Sequence, residues 1–157
     1  MIVDSLEEFL ILAKKSTYAD ASSNNKSESS RVGSKDYEFK NNGLTYHDTY
    51  FGGTNFMGEE VVYNEENIPI WGMNYYGVTL DDTLSEEAMD KVLRPALSQV
   101  GNDNNVLPVR GPSNYANDDY KYIFNCSGDI NNFIGIEEIY KSDELIYRLN
   151  CHGGLIK

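Results

Sequence analysis

Apolar residues recur at helical spacing near the N-terminus of the chain. Leu6, Phe9, Leu10 and Ala13 stand at i, i+3, i+4 and i+7, which places their side chains on one face of an α-helix. Ser5-x-x-Glu8 forms a capping box, because serine and glutamate at this spacing satisfy free backbone N–H groups of the first turn. The pattern predicts an amphipathic helix of about three turns that ends near Ser16.

Residues 19–35 are polar and show no periodicity, so we expect a long loop, either a functional lid or a mobile segment. The next residues predict an antiparallel meander. Asn41-Asn42-Gly43 indicates a hairpin turn, because asparagine and glycine tolerate positive φ. The predicted strands around this turn and after it are 36–40, 44–51, 56–63 and 68–77.

A second helical pattern covers about Ser85 to Gln99, with Met89, Val92, Leu93, Ala96 and Val100 on its apolar face. Thr83-x-x-Glu86 is a candidate cap for this helix, and Pro95 is expected to kink it or to end its regular part. Residues 101–106 predict a polar loop, and strands are predicted at 120–126, 133–140 and 145–152.

The second half of the chain repeats the pattern of the first. Gly58, Glu60 and Tyr63 match Gly135, Glu137 and Tyr140, and Trp71-x2-Asn74-x2-Gly77 matches Tyr147-x2-Asn150-x2-Gly153. We therefore predict an α+β fold of two tandem copies of a helix plus antiparallel β-meander unit, related by a pseudo-two-fold axis. The chain, 1–157, would be a single domain built of two repeats, at about 1–80 and 81–157, with the helices covering one face of the sheets.

The chain has 157 residues and a net charge of −12, which argues against direct nucleic-acid binding and against anionic membranes as partners. No apolar run reaches the roughly 18 residues of a membrane span. Asp4, Glu7 and Glu8 stand where a signal peptide would carry basic residues. Cys126 and Cys151 lie in strand-like segments, and no His or Cys pair has metal-ligand spacing. We expect a cytoplasmic protein with reduced thiols, no metal and no cofactor.

Polar side chains on the predicted strands suggest a ligand site at the seam between the repeats. Asp48, Glu60, Asn74 and Tyr76 are expected to converge on one surface with aromatic walls. Tyr50, Tyr75 and Tyr76 would supply rings and hydroxyls, and Trp71 is a further aromatic candidate. The alternative is that the glutamates lie on a solvated face and the tyrosines fill the core. The residues expected across the axis are Glu137, Asn150 and His152. Arg31 and Arg110 lie on loops that precede the strands, and together they could bind a carboxylate or a phosphate.

Three functions fit these features. The first is a small-molecule-binding or sensing domain with a polar aromatic pocket at the seam. The second is a hydrolase or isomerase that uses Asp48, Glu60 or Glu137 as acid or base together with His152. The third is a protein-interaction domain, for example a homodimer that pairs exposed sheet edges.

Several motifs together resemble a bacterial family of unknown function. They are Phe-Leu-x-x-Ala-Lys-x-x-Thr-Tyr-Ala at 9–19, Asp-Thr-Tyr-Phe-Gly-Gly at 48–53, Gly-Glu-Glu-Val-Val-Tyr at 58–63, Trp-Gly-Met-Asn-Tyr-Tyr-Gly at 71–77, Arg-Gly-Pro at 110–112 and His-Gly-Gly at 152–154. Members of that family stand alone or follow a Cro/repressor-type helix-turn-helix domain. The resemblance transfers no catalytic residues; it implies a sensing role.

Overall fold

The computed structural model of the chain describes residues 5–20, 22 and 24–157. Residues 1–4, 21 and 23, which belong to the predicted first repeat and to the predicted loop, lie outside the described residues. The elements in chain order are α1 (Leu6–Ser16), β1 (Lys26–Ser27), β2 (Lys35–Asn41), β3 (Leu44–Gly52), β4 (Phe56–Tyr63), β5 (Pro69–Thr79), α2 (Glu86–Leu97), β6 (Asn114–Asn117), β7 (Tyr120–Asp129), β8 (Asn132–Lys141) and β9 (Glu144–Leu155).

All strands of the described chain belong to one antiparallel sheet. Their spatial order is β1-β2-β3-β4-β5-β9-β8-β7-β6, so each half contributes a meander and the two meanders join where β5 pairs with β9. The structure confirms an α+β chain built from antiparallel meanders and two helices. It forms one sheet, in which the last strand of each meander lies at the centre.

The two helices pack on the same side of this sheet, which we call the covered face. Phe9, Leu10 and Ala13 of α1 are buried with Met89 and Leu93 of α2. They share one core cluster with sheet residues Tyr46, Val62, Trp71, Met73, Tyr75, Phe124, Phe133, Ile139, Tyr147 and Leu149. The opposite side, the open face, carries the alternate side chains of the same strands.

Local sequence explains where the helices begin. The Ser5 hydroxyl accepts a hydrogen bond from the Glu8 backbone N–H at 3.2 Å, as the capping box predicts. In α2 the cap is Ser85, whose hydroxyl accepts from the Ala88 N–H at 3.1 Å. The expected cap Thr83 instead binds Asp81 through both its hydroxyl and its N–H, so it belongs to the turn before the helix. Pro95 lies within the last turn of α2, and the helix ends two residues later.

Tight turns connect the paired strands. Asn42 and Gly43, with φ of 48° and 78°, form the predicted hairpin turn between β2 and β3. Ser142 and Asp143, also at positive φ, form the corresponding turn between β8 and β9. The structure adds two short strands that the pattern does not predict, β1 and β6, one at each edge of the sheet.

A buried carboxylate, Asp36, holds the end of the predicted loop 19–35 against the open face. It accepts hydrogen bonds from the hydroxyls of Ser30, Ser34 and Thr49, at 2.5–2.7 Å, and contacts His47 Nε2 at 2.7 Å. Burial by itself would raise the pKa of Asp36, but these hydrogen bonds hold it well below its usual value. The C-terminal part of the loop is therefore anchored by a permanently charged group.

Candidate functional site

A cavity of about 60 Å³ lies between the two helices and the covered face of the sheet. Its lining contains four buried charged residues, namely Lys14 from α1, Asp48 from β3, Glu60 from β4 and Arg110 from the segment before β6. Helix α2 adds the less buried Glu86, Asp90 and Arg94. The aromatic rings of its walls are those of Tyr18, Tyr46, Tyr50, Phe56, Tyr75 and Tyr147. The exposed members of its lining are Thr54 and Glu86, so the cavity opens between the β3–β4 turn and the start of α2.

Strand register brings two carboxylates together inside this cavity. Asp48 on β3 is directly opposite Glu60 on β4, and both are 3% exposed. The Lys14 ammonium contacts Glu60 Oε2, which gives the cluster one cation for two carboxylates. Like charges directly opposite on neighbouring strands repel, so the ionisation of one group opposes that of the other.

Tyr75 spans β4 to reach Asp48. Its hydroxyl donates to Asp48 Oδ1 at 2.6 Å, although β4 lies between their two strands. Gly58, the β4 residue opposite Tyr75, provides the space: a Cβ there would lie 2.5 Å from the Tyr75 hydroxyl and 2.5 Å from the Thr49 carbonyl oxygen. Glycine at 58 is therefore a packing requirement of the site.

Burial determines the protonation of these groups. Burial first, and the charge of Glu60 second, raise the pKa of the Asp48 carboxyl to about 7, against the lowering effects of Tyr75 and Lys14. Burial also raises the pKa of the Tyr46 and Tyr75 phenols well above their usual value, so both remain protonated donors. The raised pKa places the titration of the Asp48 carboxyl near neutral pH.

A second buried ion pair lies beside the first cluster. Arg110 donates from Nε and Nη2 to the two carboxylate oxygens of Glu137, at 2.9 and 2.7 Å. The hydroxyls of Tyr122 and Tyr147 donate to the same carboxylate at 2.6 and 2.9 Å. Burial by itself lowers the pKa of the Arg110 guanidinium, but Glu137 raises it well above its usual value. Glu137 thus has four hydrogen bonds and a full counter-charge.

The structure brings together part of the predicted site. Asp48, Tyr50, Glu60 and Arg110 line the cavity, and Glu137 lies one hydrogen bond away, behind Arg110. Trp71 lies on the same covered face but belongs to the core: its ring is fully buried, stacks on Phe133, and donates to the Ile130 carbonyl at 3.0 Å. Trp71 does not line the cavity.

The expected convergence of Asn74 and Tyr76 with Asp48 and Glu60 is wrong. Glu60 is opposite Met73, so Asn74 and Tyr76 point to the open face, where Tyr76 is 51% exposed. Asn150 and His152 on β9 are exposed on the same open face. His152 is therefore on the other side of the sheet from the buried carboxylates Asp48, Glu60 and Glu137.

Lys14 is central to the cavity and was not among the predicted site residues. Lys14 follows Leu10 by four residues, which places it on the buried side of α1, and this spacing is the signal that would have revealed it. Tyr75 was expected to supply a ring and a hydroxyl, and it lines the cavity. Its contact with Asp48 depends on Gly58 and on strand pairing, which the sequence does not display.

The other expected features are placed as follows. Arg31 pairs with Glu59 on the open side and does not reach the cavity, so it forms no grip with Arg110. Cys126 and Cys151 are free thiols. Among the described residues, no group of three His, Cys, Asp or Glu side chains is arranged to hold a metal ion. Within the same part of the chain, neither helix is long and apolar enough to cross a membrane.

Fold and cavity together define a class: an α+β domain in which two helices enclose a charged, aromatic-lined cavity on one face of an antiparallel sheet. The chain belongs to the family described as Domain of unknown function (DUF5680), which matches residues 48–156. The expected membership of a family of unknown function is thereby confirmed. The matched residues include β4 to β9, α2 and the carboxylates of the cavity. No curated protein and no solved structure matches the chain.

Proposed function

We propose that this protein is a small-molecule-binding or sensing domain whose site is the cavity beneath α1 and α2. The observation that carries this proposal is that Lys14, Asp48, Glu60 and Arg110, all buried, line one cavity. Ionisable groups are costly to bury, and apolar residues would close the same space at lower free energy. Clusters of this kind with perturbed pKa values are concentrated at functional sites.

The size of the cavity limits the ligand. A volume of about 60 Å³ corresponds to roughly four to six water-sized positions. Typical ligand pockets are several-fold larger, at about 300–1,000 Å³. The ligand is therefore a compact molecule of a few non-hydrogen atoms, or a compact head group whose remainder leaves through the opening at Thr54 and Glu86.

We also propose that the domain arose by duplication. Supporting this, the pairing of β5 with β9 is symmetric about Tyr75 and Cys151, which occupy equivalent positions in the two sequence repeats. The two buried glutamates of the repeats, Glu60 and Glu137, each meet a buried cation, Lys14 and Arg110. The cavity lies where the two units meet, with lining residues from both.

A bacterial, cytoplasmic sensing module is the biological setting that we propose. The motif resemblance supports the bacterial source and the association of relatives with a helix-turn-helix domain. The two free thiols are compatible with a reducing compartment. In such an arrangement the domain would receive the small-molecule signal and a DNA-binding module would transmit it.

A thermal-shift screen tests the binding proposal. The purified protein would be screened against several hundred metabolites, because a ligand that binds only the native state raises the melting temperature by mass action. Each hit would then be tested with Leu93→Phe, which adds volume to a buried residue of the cavity wall. The matched control is Leu84→Phe, the same change at a half-buried core residue outside the lining.

The expected result is a ligand that stabilises the wild type and Leu84→Phe but not Leu93→Phe. If no compound raises the melting temperature, or if every hit stabilises Leu93→Phe equally, the cavity is not a binding site.

A second candidate function is favoured by the protonation of Asp48. A carboxyl with a pKa of about 7 is suited to general acid–base catalysis near neutral pH. An isomerase or hydrolase would then use Asp48 with the Tyr75 hydroxyl, and without His152, which is on the open face. Turnover of a hit from the same screen, abolished by Asp48→Asn, would distinguish an enzyme from a sensor.

A further inference from the structure

The charges around the cavity are unequal. Three buried carboxylates, Asp48, Glu60 and Glu137, face two buried cations, Lys14 and Arg110. Lys14 pairs with Glu60, and Arg110 pairs with Glu137 through two hydrogen bonds. At the rim, Asp90 and Arg94 pair with each other. Among the described residues, Asp48 is the carboxylate of the cavity without a cation of its own.

Asp48 also has an unused acceptor. Among the described residues its one hydrogen bond comes from the Tyr75 hydroxyl to Oδ1, which leaves Oδ2 free to accept from another donor. Asp48 is 3% exposed and lines the cavity, and no fully buried side-chain oxygen of the described residues lacks a partner, so Oδ2 is accessible from the cavity and no protein donor occupies it. A buried carboxylate in this state is a strong acceptor for a positively charged N–H donor.

We propose that the cavity binds a small organic cation with N–H donors, a primary ammonium or a guanidinium, which forms an ion pair with Asp48. This inference rests on the proposed function, since it names the ligand class of that same cavity. Such a ligand supplies both the missing charge and the missing donor. The rings of Tyr50, Phe56 and Tyr75 belong to the walls, so the carbon atoms of such a ligand would lie beside aromatic side chains.

An anionic ligand fits less well because the three cations of the lining, Lys14, Arg94 and Arg110, each already pair with a carboxylate. Arg110 directs Nε and Nη2 at Glu137, and Lys14 directs its ammonium at Glu60. An anion would have to displace a buried carboxylate from its partner and would then lie beside Asp48. Burying a further negative charge there is unfavourable.

The entrance favours the same sign of charge. Glu86 is an exposed carboxylate at the opening and pairs with the exposed Lys35 at 3.6 Å, while the whole chain carries a net charge of −12. A field of one sign concentrates counter-ions near an opening of this kind. The net charge of the chain therefore favours the approach of small cations over small anions.

Binding should depend on pH. The charged and titratable groups of the cavity around Asp48 are Glu60 opposite it, Lys14 from α1, Arg110 from the segment before β6, and the phenols of the tyrosines in the walls. Helix α2 adds Glu86, Asp90 and Arg94 on the side of the opening. Because burial and Glu60 hold part of Asp48 protonated near pH 7, a cation must displace that proton. Affinity should rise as the pH increases through this range.

To test this, the protein is titrated with ethylammonium and with methylguanidinium at pH 6 and pH 8. Calorimetry measures binding, and the melting temperature measures stabilisation. Total ionic strength is held constant with sodium chloride. Ethanol, acetate and tetramethylammonium serve as a neutral, an anionic and a donor-free probe. The variants are Asp48→Asn and the control Asp82→Asn, which removes the same charge from an exposed residue outside the lining.

We expect saturable binding of one or both N–H cations to the wild type and Asp82→Asn, tighter at pH 8 than at pH 6. Asp48→Asn should bind at least about tenfold more weakly, since it lacks the charge-assisted hydrogen bond. Cation binding that is equal at both pH values in the wild type overturns the inference, and this comparison does not depend on the folding of any variant.

Other outcomes separate this inference from the proposed function. If acetate or ethanol binds and Leu93→Phe abolishes that binding, the cavity is a ligand site but its ligand is not a cation. If no probe binds and the metabolite screen is also empty, both proposals fail.

Discussion

The buried carboxylates Asp48 and Glu137 differ in their hydrogen-bond donors and in the charges beside them. Both oxygens of Glu137 accept hydrogen bonds from Arg110, and each accepts one more from a tyrosine hydroxyl. Asp48 has one tyrosine hydroxyl and a neighbouring carboxylate. The first arrangement suits a structural ion pair, and the second suits a group that responds to a ligand or to a proton.

Removal of the Glu137 charge should therefore be strongly destabilising. Glu137→Gln leaves the buried Arg110 guanidinium without a counter-charge, and we expect a loss of about 3–5 kcal/mol in the free energy of unfolding. The neighbouring Glu138→Gln is the matched control, because Glu138 pairs with the half-exposed Arg148 on the open face. That change should cost less than about 1 kcal/mol. Urea denaturation measures both, and equal losses would contradict the structural role assigned to Glu137.

Asp48 should make stability depend on pH. The folded state raises the pKa of Asp48 from 3.8 to about 7, so the folded state binds this proton more tightly than the unfolded state does. Stability from this group is complete below pH 3.8 and is lost as the pH rises towards 7. The total effect is on the order of 4 kcal/mol.

Asp48→Asn should remove this dependence, because asparagine keeps an acceptor for Tyr75 without a charge. The variant should be more stable than the wild type at pH 8.5, with a smaller difference at pH 6. Urea denaturation at both pH values measures it, with Asp82→Asn as the exposed control. A variant that is less stable than the wild type at pH 8.5 would show that the charged form of Asp48 does not destabilise the folded state.

At the scale of elements, helix α2 shows the limit of a local capping pattern. Two candidate caps stand two residues apart, Thr83 and Ser85, and the turn that Asp81 forms with Thr83 decides between them. The helix then begins at Glu86 and places Met89 and Leu93 over the cavity. The position of the cap thus determines which side chains of α2 close the site.

We predict that Ser85→Ala lowers the free energy of unfolding by about 1 kcal/mol, because the Ala88 N–H loses its acceptor. Thr83→Ala should have a smaller effect, since the Thr83 N–H still binds Asp81. Thermal denaturation of the two variants gives the comparison. A larger loss of stability in Thr83→Ala than in Ser85→Ala would indicate that Thr83 is the cap.

At the scale of the whole molecule, the pairing of β5 with β9 unites the two meanders. These strands lie in the middle of the sheet and carry core residues such as Met73, Tyr75, Leu149 and Cys151. The edges are the short strands β1 and β6, of two and four residues.

Native-state hydrogen exchange should show one cooperative unit with its slowest amides in β5 and β9. Central strands open only with global unfolding, whereas edges open locally. Amides of β1 and β6 should therefore exchange fastest among the strands, as measured by NMR or mass spectrometry. If the β5 and β9 amides exchange as fast as those at the edges, the two meanders are independent units that merely touch.

The sequence by itself determined the features that depend on neighbours along the chain. Helix α1 with its Ser5 cap, the body of α2 and the Asn42-Gly43 turn follow from contacts within a few residues. Alternation along the strands also placed Met73 and Tyr75 on one face and Asn74 and Tyr76 on the other. These signals are local, so they are visible without a partner strand.

Only the tertiary structure decided the site. Whether Glu60 shares a face with Met73 or with Asn74 depends on strand register, and a shift of one residue reverses the answer. Lys14 meets Glu60 across 46 residues of chain, and Tyr75 reaches Asp48 only because Gly58 leaves room between them. These contacts join distant segments, and their free energies depend on burial and on charges that no single segment contains. The sequence could therefore identify Asp48, Glu60, Arg110 and Glu137 as candidates, while packing decided which of them shares a cavity and which lacks a counter-charge.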